Sequence, residues 1–287
     1  MKKLIYFFQF ILIYLLFFLF KIIGFKNSSN IGYLLGKYIG PIFRSKQKIN
    51  KIVNEIEDLK NKTNKKNFAS TVLGNYGRIF AEYPHLKNFR NNKLDKFIKI
   101  EGKEYLEDIK KRNKKAVFIS GHFNNFELMA MQIEKSGIDL VAIYRPLNNI
   151  FLNLIMEKIR TNYICRKQIK KGKSGTRELI ENLKKGYSVA LMIDQRVTEG
   201  SKVNFFGKEA TTTTIPAQLI KKYECELVPV YIERYNNFFF NMYISKPVKI
   251  NKDKSIDDIT IYLNKVLEEM ILKNPEQWIW THDRWKK

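Results

Sequence analysis

The N-terminal segment is a long apolar run. From Leu4 to Phe20 the run is interrupted only by Gln9. At ~1.5 Å per residue a helix of this run reaches about 26 Å, slightly less than a hydrocarbon core of ~30 Å. It has no polar face, which disfavours a core helix, and Lys21 with no small-residue cleavage site disfavours a signal peptide. The pattern predicts a membrane helix within an N-terminal anchor, residues 1–25.

The topology of this anchor stays open at the level of the sequence. Lys2 and Lys3 favour a cytoplasmic N-terminus, whereas a cytoplasmic domain after one span would place them on the outer side. A helix that lies in one leaflet or re-enters the membrane would remove this conflict. The apolar, glycine-broken segment 31–43 and the basic amphipathic segment 44–67 predict interfacial helices at the start of a globular domain, residues 26–287.

Further along the chain, helical segments give way to alternating strands and helices. A helical pattern from Phe68 to Tyr83 ends at Pro84. Short apolar runs bounded by polar residues or glycine predict buried strands at 115–120, 140–144, 188–193 and 227–232. Helical patterns follow or separate them at 127–136, 150–163, 176–185 and 216–223. Strands that are buried on both faces and alternate with helices predict an α/β fold, with a central, mostly parallel sheet flanked by helices.

The C-terminal third adds two elements to this fold. Segment 238–244 predicts one more strand, as an antiparallel hairpin partner of the strand before it. The last helix, 256–273, is expected to stop at Asn274-Pro275. The sequence contains no internal repeat and no linker that would mark a second globular domain.

The candidate chemistry lies where the first strong strand ends, in the run SGHFNNFE. In an open α/β sheet, reactive groups collect at the carboxyl ends of the strands, and His122 holds that position. Glu127 lies five residues on, at the start of the next helix. A neutral imidazole can take a proton from a hydroxyl or amine, and a carboxylate can fix its tautomer and stabilise the imidazolium. We therefore expect His122 and Glu127 to form a catalytic pair, with Gly121 allowing substrate close to the backbone.

Polar residues also end the next strands. Arg145 follows the second strand and is expected to face the same crevice, where its guanidinium suits a phosphate or carboxylate. Asp194 follows the third strand in ALMIDQR and can bind or orient polar groups, or cap the next element. The segment 204–207 and the threonines 211–214 suggest a loop with an aromatic wall, then a helix cap. These aromatic side chains could equally serve only the core.

The charge and the cysteine content of the chain exclude few classes of function. Lys and Arg total 52 against 28 Asp and Glu, a formal charge of +24, which attracts phosphates, anionic lipids or nucleic acid without choosing among them. Lys and Asn are abundant in every polar stretch, so part of this excess reflects composition. Cys165 and Cys225 form no C-x-x-C pair and no metal-ligand spacing, which fits a reducing compartment.

Three motifs are set aside. Gly172-Lys173-Ser174 lacks the first glycine of a phosphate-binding loop, because Lys167 stands there. His85 in a turn and His282 near the C-terminus form no metal cluster with His122, and the sequence has no G-x-S-x-G nucleophile elbow.

Six blocks, in order, resemble the bacterial lipid A late acyltransferases, the lauroyl/myristoyl acyltransferase family. They are SGHFNNFE, IYRPLNN, a Leu-Lys-Lys-Gly-Tyr turn before VALMIDQR, NFFGKEATTT, LVPVYIER and PEQWIWTHDRW. The resemblance covers nearly the whole chain. It departs from the family's usual residues at Phe126, where some members have Trp, and at Trp278 and Asp283.

The resemblance implies a reaction and a location. His122 and Glu127 match the family's H-x-x-x-x-D/E pair, and the implied reaction transfers a fatty acyl group from acyl carrier protein to a hydroxyacyl chain of a phosphorylated lipid A precursor. It implies the cytoplasmic face of the inner membrane, with no metal or redox cofactor and no nucleic acid partner. Substrate-binding positions carried over from the family are Arg145, Asp194, Arg160, Gln195, Phe206 and Gly207.

Two other functions remain open at this level. A related acyltransferase could use the same pair on another glycolipid, phospholipid or aminolipid, with coenzyme A or a carrier protein as donor. A membrane-anchored, non-enzymatic protein that binds anionic lipid or nucleic acid would depend strongly on salt and not on His122.

Overall fold

Most helices lie in segments where the sequence predicts them, but those at Leu86–Arg90 and Lys103–Lys111 were not predicted. The computed structural model describes residues 1–60, 63 and 67–286. Its α-helices are α1 (Lys2–Ile23), α2 (Phe25–Tyr38), α3 (Gly40–Phe43), α4 (Lys46–Asn54), α5 (Glu57–Lys60), α6 (Phe68–Glu82), α7 (Leu86–Arg90), α8 (Lys103–Lys111), α9 (Glu127–Lys135), α10 (Ile150–Ile159), α11 (Lys173–Lys184), α12 (Ile215–Tyr223) and α13 (Ile256–Lys273). Part of the predicted interfacial segment 44–67 lies outside the described residues.

Within the described residues, the strands form one large sheet and one hairpin. They are β1 (Ile98–Glu101), β2 (Ala116–Ser120), β3 (Leu140–Tyr144), β4 (Lys167–Lys170), β5 (Ser188–Met192), β6 (Ser201–Phe205), β7 (Lys208–Thr212), β8 (Glu226–Tyr235) and β9 (Phe239–Ile244). The sheet has the order β1-β9-β8-β2-β5-β3-β4, and β6 pairs with β7 separately.

The direction of the strands confirms the predicted α/β fold. Strands β8, β2, β5, β3 and β4 run parallel to one another. Strand β9 is antiparallel to β8 as expected, and β1 is parallel to β9. Strand β2 lies centrally and every residue in it is buried. A strand buried on both faces needs a continuous apolar run, which is why AVFIS could be recognised from the sequence.

The segment after β5 differs from the prediction. A loop was expected at 204–207, but these residues belong to the antiparallel hairpin β6–β7. Phe206 and Gly207 form its turn, with φ angles of 52° and 73°. Two-residue hairpin turns need positive φ angles at their centre, and Phe is an unusual residue for that conformation. Thr214 precedes α12 as expected but makes no capping hydrogen bond to a backbone N–H of that helix; its hydroxyl accepts from the Gln218 side chain at 3.0 Å instead.

Glycines bring α2 against α6 at the N-terminal side of the domain. A Cβ atom added at Gly77 would lie 1.9 Å from the Gly32 carbonyl oxygen, and one at Gly32 would lie 2.4 Å from the Gly77 oxygen. The two backbones are therefore in direct contact. Helix α6 also lines the cleft beside His122, so this packing positions one wall of the candidate site.

Candidate active site

The register of two neighbouring strands brings His122 and Asp194 together. Strands β2 and β5 are parallel, and Ser120 at the end of β2 pairs with Met192 at the end of β5. The Ile193 N–H donates to the Ser120 carbonyl at 2.9 Å, which continues the pairing beyond the strands. His122 lies two residues after Ser120, and Asp194 lies two residues after Met192. The two residues therefore face each other at the carboxyl edge of the sheet.

Asp194 is fully buried and accepts three hydrogen bonds. Its Oδ1 atom lies 2.8 Å from the Nδ1 atom of His122. Its Oδ2 atom accepts from the His122 backbone N–H at 2.7 Å and from the Trp278 indole N–H at 2.9 Å. A carboxylate only accepts, so the Nδ1 atom of His122 carries the proton in this contact. The Nε2 atom then holds a lone pair that can take a proton from a substrate.

The buried carboxylate also controls the charge of the imidazole. Burial disfavours the charged imidazolium, but the charge and hydrogen bond of Asp194 outweigh it, so the pKa of His122 is raised above its ordinary value. Burial likewise opposes ionisation of Asp194, yet His122 and the Trp278 hydrogen bond hold the pKa of that carboxyl below its ordinary value. The arrangement therefore favours an ionised Asp194 beside a more basic histidine.

Glu127 makes a different set of contacts from the one expected. We expected it to fix the tautomer of His122, but in the structure Asp194 makes that contact. The register of β2 and β5 places Asp194 opposite the ring, whereas Glu127, the first residue of α9, accepts from the Tyr83 hydroxyl and from Arg160 Nε at 3.2 Å. Glu127 still acts on the pKa of His122 through its charge, raising it, while the charge of Arg160 lowers it.

Contacts at three successive residues, 123–125, hold the loop that carries His122. Phe123 forms a single antiparallel β-bridge with Trp278, and the Asn124 backbone N–H donates to the Gln277 carbonyl at 3.0 Å. The Asn125 side chain donates to the buried carboxylate of Glu82 at 2.9 Å. The loop is thus fixed to α6 and to the segment after α13.

Glu82 itself is the centre of a buried polar network. Arg234 in β8 donates to both of its oxygens, at 2.7 and 2.9 Å, and the Ser29 hydroxyl donates at 2.7 Å. A buried carboxylate needs such partners, because an unpaired charge in the interior is strongly unfavourable. The network ties the loop of Asn125 to α2, α6 and β8.

The side chain of His122 is open to a small cleft on its other side. About a fifth of that side chain is exposed, and the Phe126 ring lies 4.6 Å from its ring in an edge-on arrangement. The cleft is mostly apolar and lies between α6 and the segment after α13; it is lined by Val72, Asn75, Tyr76, Ile79, His122, Phe126, Glu276, Gln277, Trp278 and Ile279. An apolar wall beside a buried base suits a substrate with a hydrocarbon chain.

Gly121 has a role that differs from the one expected. We expected it to admit substrate to the backbone, but protein atoms occupy the space beside it. An added Cβ atom would lie 2.9 Å from a Leu267 methyl and 3.3 Å from the Asp194 carboxylate. Glycine here lets Asp194 and α13 approach the strand end.

The other predicted substrate-binding residues lie at varying positions. Arg160 contacts Glu127, as described, and its guanidinium lies 5.7 Å from the centre of the Tyr144 ring. Arg145 follows β3 as expected and is exposed, and no hydrogen bond joins it to His122 or Asp194 in the described part of the chain. Gln195 is half-buried directly after Asp194.

Phe206 and Gly207 lie in the β6–β7 turn. The Phe206 backbone N–H donates to a Glu268 carboxylate oxygen in α13 at 2.6 Å. The neighbouring Phe205 ring lies 6.1 Å from Trp278, so the hairpin reaches the candidate site through aromatic packing.

Two contributors, Tyr83 and Glu82, were missed from the sequence. Trp278 was noted only as part of the block PEQWIWTHDRW, because its contact with Asp194 depends on a fold that joins positions far apart in the chain. Tyr83 ends a helical pattern and gave no chemical signal. Among the described residues, no group of three or more His, Cys, Asp or Glu could hold a metal ion.

Comparisons with known proteins identify the family of the chain. A model of the bacterial lipid A biosynthesis acyltransferases matches residues 1–287. The chain is similar to the lipid A biosynthesis palmitoleoyltransferase of Escherichia coli (strain K12), at 25% identity over 68% of this chain and 64% of that protein. It is also similar to that strain's lauroyltransferase, at 26% identity over 77% and 71%, and its myristoyltransferase, at 23% over 63% and 56%.

The alignments differ in how much of each relative they include. The chain spans just under two thirds of the palmitoleoyltransferase's length, 64%. The family model, in contrast, matches from the first residue to the last. The protein belongs to the bacterial lipid A biosynthesis acyltransferase family.

Proposed function

We propose that this protein is an acyltransferase that transfers a fatty acyl group to a hydroxyacyl chain of a lipid A precursor. The observation that carries the proposal is the bond between the Nδ1 atom of His122 and the buried Asp194 at the carboxyl ends of two central strands. It leaves the Nε2 atom as a base beside a mostly apolar cleft. Membership of a lipid A acyltransferase family supplies the substrate class.

In this mechanism His122 carries one proton from the acceptor hydroxyl to the leaving thiolate. The Nε2 atom takes the proton of the acceptor hydroxyl as the oxygen attacks the thioester carbonyl carbon. The C–S bond then breaks, the ester forms, and the imidazolium returns its proton to the leaving thiolate. Asp194 stabilises the imidazolium between these steps, because its carboxylate is held by hydrogen bonds in that orientation before the reaction begins.

Glu127 contributes a negative charge close to the histidine. Its carboxylate is held by Tyr83 and Arg160, and its charge raises the pKa of His122. We propose that this charge adds to the effect of Asp194, so that two carboxylates support one base. Arg160 balances Glu127 and limits the rise, since its own charge lowers that pKa.

We further propose acyl carrier protein as the donor and the cytoplasmic face of the inner membrane as the location. A formal charge of +24 favours an acidic carrier protein and a phosphorylated acceptor. Arg145 is exposed at the same edge of the sheet and is proposed to bind acceptor phosphate, with Gln195, Phe206 and Gly207 nearer the acceptor chain. Residues 1–25 would form the anchor and 26–287 the catalytic domain.

The experiment compares acceptors with the full chain in detergent. Defined acyl carrier protein thioesters of several chain lengths are mixed with a lipid A precursor that carries a free hydroxyacyl chain, or with a lysophospholipid. We expect the precursor to gain the mass of one fatty acid less one water, and His122→Ala to lose this transfer. Transfer to the lysophospholipid alone would overturn the lipid A assignment, and no transfer to either by folded protein would overturn the proposed reaction.

A further inference from the structure

Exposed apolar side chains are confined to two parts of the molecule. In the described part of the chain, every exposed large apolar residue except Tyr235 lies within residues 1–43 or between positions 147 and 154. Soluble proteins rarely expose contiguous apolar patches of this kind without a partner. The geometry of α1 and α10 indicates what that partner is.

Helix α1 packs against the rest of the protein both near its start and near its end. Near its start, the rings of Phe7 and Phe10 lie 5.7 and 6.0 Å from the ring of Phe151 in α10. Near its end, the Phe17 ring lies 5.1 Å from the ring of Phe80 in α6. These contacts extend over about 15 Å of helix at ~1.5 Å per residue. Helix α1 therefore does not extend away from the domain as a separate span would.

Packing on one side gives α1 two distinct apolar faces. The face towards the domain is half-buried or buried and contains Tyr6, Phe10, Ile13, Phe17 and Phe20. The opposite face is exposed and contains Leu4, Phe8, Leu12, Leu15, Leu19 and Ile22. Both sets recur at three- and four-residue intervals, as one face of a helix requires. The exposed face is the one left for another partner.

The one polar residue in the apolar run of α1 bonds to the start of α10. The Asn149 side-chain amide donates to the Tyr6 carbonyl at 2.9 Å and to the Gln9 side-chain oxygen at 3.3 Å. The side-chain oxygen of Asn149 also accepts from the Phe151 backbone N–H at 3.1 Å, so it caps α10. Polar groups in a hydrocarbon layer need internal partners, and this contact provides them at the junction of the two helices.

Helix α10 continues the exposed apolar surface. Leu147, Ile150 and Leu154 are exposed, the last with 68% of its surface accessible. Ile150 and Leu154 lie on one face of the helix, whose next position is Lys158, and Leu147 lies just before the helix begins. A lysine at the end of an apolar face can extend its ammonium to the lipid headgroups. Lys2 and Lys3 at the start of α1, and Lys21 near its end, can reach the headgroups in the same way.

We propose that α1 and α10 form a single surface that inserts into one leaflet of the membrane, with α1 lying along the catalytic domain instead of crossing the bilayer. Hydrocarbon is the occupant because the surface is continuous with the membrane-type helix α1 and is flanked by lysines that suit anionic headgroups. The arrangement keeps Lys2, Lys3 and the catalytic domain on one side of the membrane. It does not depend on the chemistry at His122.

The first test measures lipid contact at single positions of the full chain. The two native cysteines are buried, and burial raises the pKa of Cys165 to about 12 and that of Cys225 to about 11, so a new surface cysteine can be labelled selectively. Leu12→Cys, Leu154→Cys and the control Tyr235→Cys carry a fluorophore in vesicles of anionic and zwitterionic phospholipid with brominated acyl chains. We expect at least threefold stronger quenching at positions 12 and 154 than at 235.

Several results would overturn the proposal. Quenching at position 12 but not at 154 would exclude α10 from the membrane. A blue-shifted but unquenched label at 154 would show that protein, not lipid, covers this face. Equal, weak quenching at all three positions would remove the membrane surface altogether.

A second test decides between one leaflet and a complete crossing. Protein that carries Lys2→Cys or Tyr235→Cys is inserted from detergent into preformed sealed vesicles and treated with a membrane-impermeant maleimide. If α1 lies in one leaflet, both positions react fully before the vesicles are permeabilised. If position 2 reacts only after permeabilisation while position 235 reacts before it, α1 crosses the bilayer and the proposed arrangement is wrong.

Discussion

Replacing Asp194 by Asn would separate the effect of its charge from the effect of its shape. Asp194 accepts from the His122 backbone N–H, the His122 ring and the Trp278 indole, all through hydrogen bonds of 2.7–2.9 Å. An amide has one acceptor oxygen and one NH₂ donor group. If the oxygen keeps the two donors that share Oδ2, the NH₂ group faces the Nδ1 atom of His122. The ring must then carry its proton on Nε2, where the base is needed.

The expected loss can be worked from these contacts. A hydrogen bond to a charged group contributes about 1.5–3 kcal/mol, and the bond from the imidazolium to Asp194 is of that kind. At 1.36 kcal/mol per tenfold change in rate, its loss lowers kcat by roughly 10- to 200-fold. The unfavourable tautomer adds to this, so we expect Asp194→Asn to lose about 100-fold or more, within the 10²–10⁴ range of general base catalysis.

The assay is transfer from an acyl carrier protein thioester to the lipid A precursor, with the variant's fold checked by thermal unfolding. Glu226→Gln is the matched control, because Glu226 is also buried but lies at the opposite, amino-terminal end of β8. The downfield NMR signal of the Nδ1 proton of His122 is expected to vanish in Asp194→Asn and to persist in Glu127→Gln. A rate for Asp194→Asn within threefold of wild type, or loss of the signal only in Glu127→Gln, would refute the assignment of Asp194.

Three further predictions follow from the contacts. Because Asp194 raises the pKa of His122, the acid limb of kcat/KM should lie above the ordinary histidine value, and Asp194→Asn should shift it to lower pH; a shift to higher pH would contradict this. Glu82→Ala leaves Arg234 buried and unpaired, which should lower the free energy of unfolding by about 3–5 kcal/mol in a denaturant titration; a change below 1 kcal/mol would mean that water reaches the arginine. Gly77→Ala places a Cβ atom 1.9 Å from a backbone oxygen of α2 and should lower the free energy of unfolding by about 1–3 kcal/mol or more. An unchanged melting temperature would disprove the close packing of α2 against α6.

The parts of the fold that were readable from the sequence are those buried on both faces. Strand β2 is a continuous apolar run, and helix α13 has a capping Ser255 and a stop at Asn274, so both were located closely. Strands β1 and β4, at the two edges of the sheet, read IKIE and KQIK and were missed. Edge strands carry polar residues on their exposed sides, so their sequence resembles that of a loop.

The candidate site was predictable in its location but not in its contacts. The rule that reactive groups gather at the carboxyl ends of strands placed both His122 and Asp194 at one edge of the sheet. Proximity in sequence favoured Glu127 as the partner of the histidine. The choice of Asp194 depends on the order of strands and on the pairing of Ser120 with Met192, and a single sequence contains neither.

The most direct measurement of the central claim is single-turnover acyl transfer by wild type and by His122→Gln. Each of the two proteins, in excess over the donor, is mixed with one acyl carrier protein thioester and the hydroxyacyl lipid A precursor. The acylated product is followed by mass. We expect wild type to form one ester per donor and His122→Gln to slow the chemical step by about 10²–10⁴-fold while it remains folded. An equal single-turnover rate in the two proteins would show that His122 is not the base.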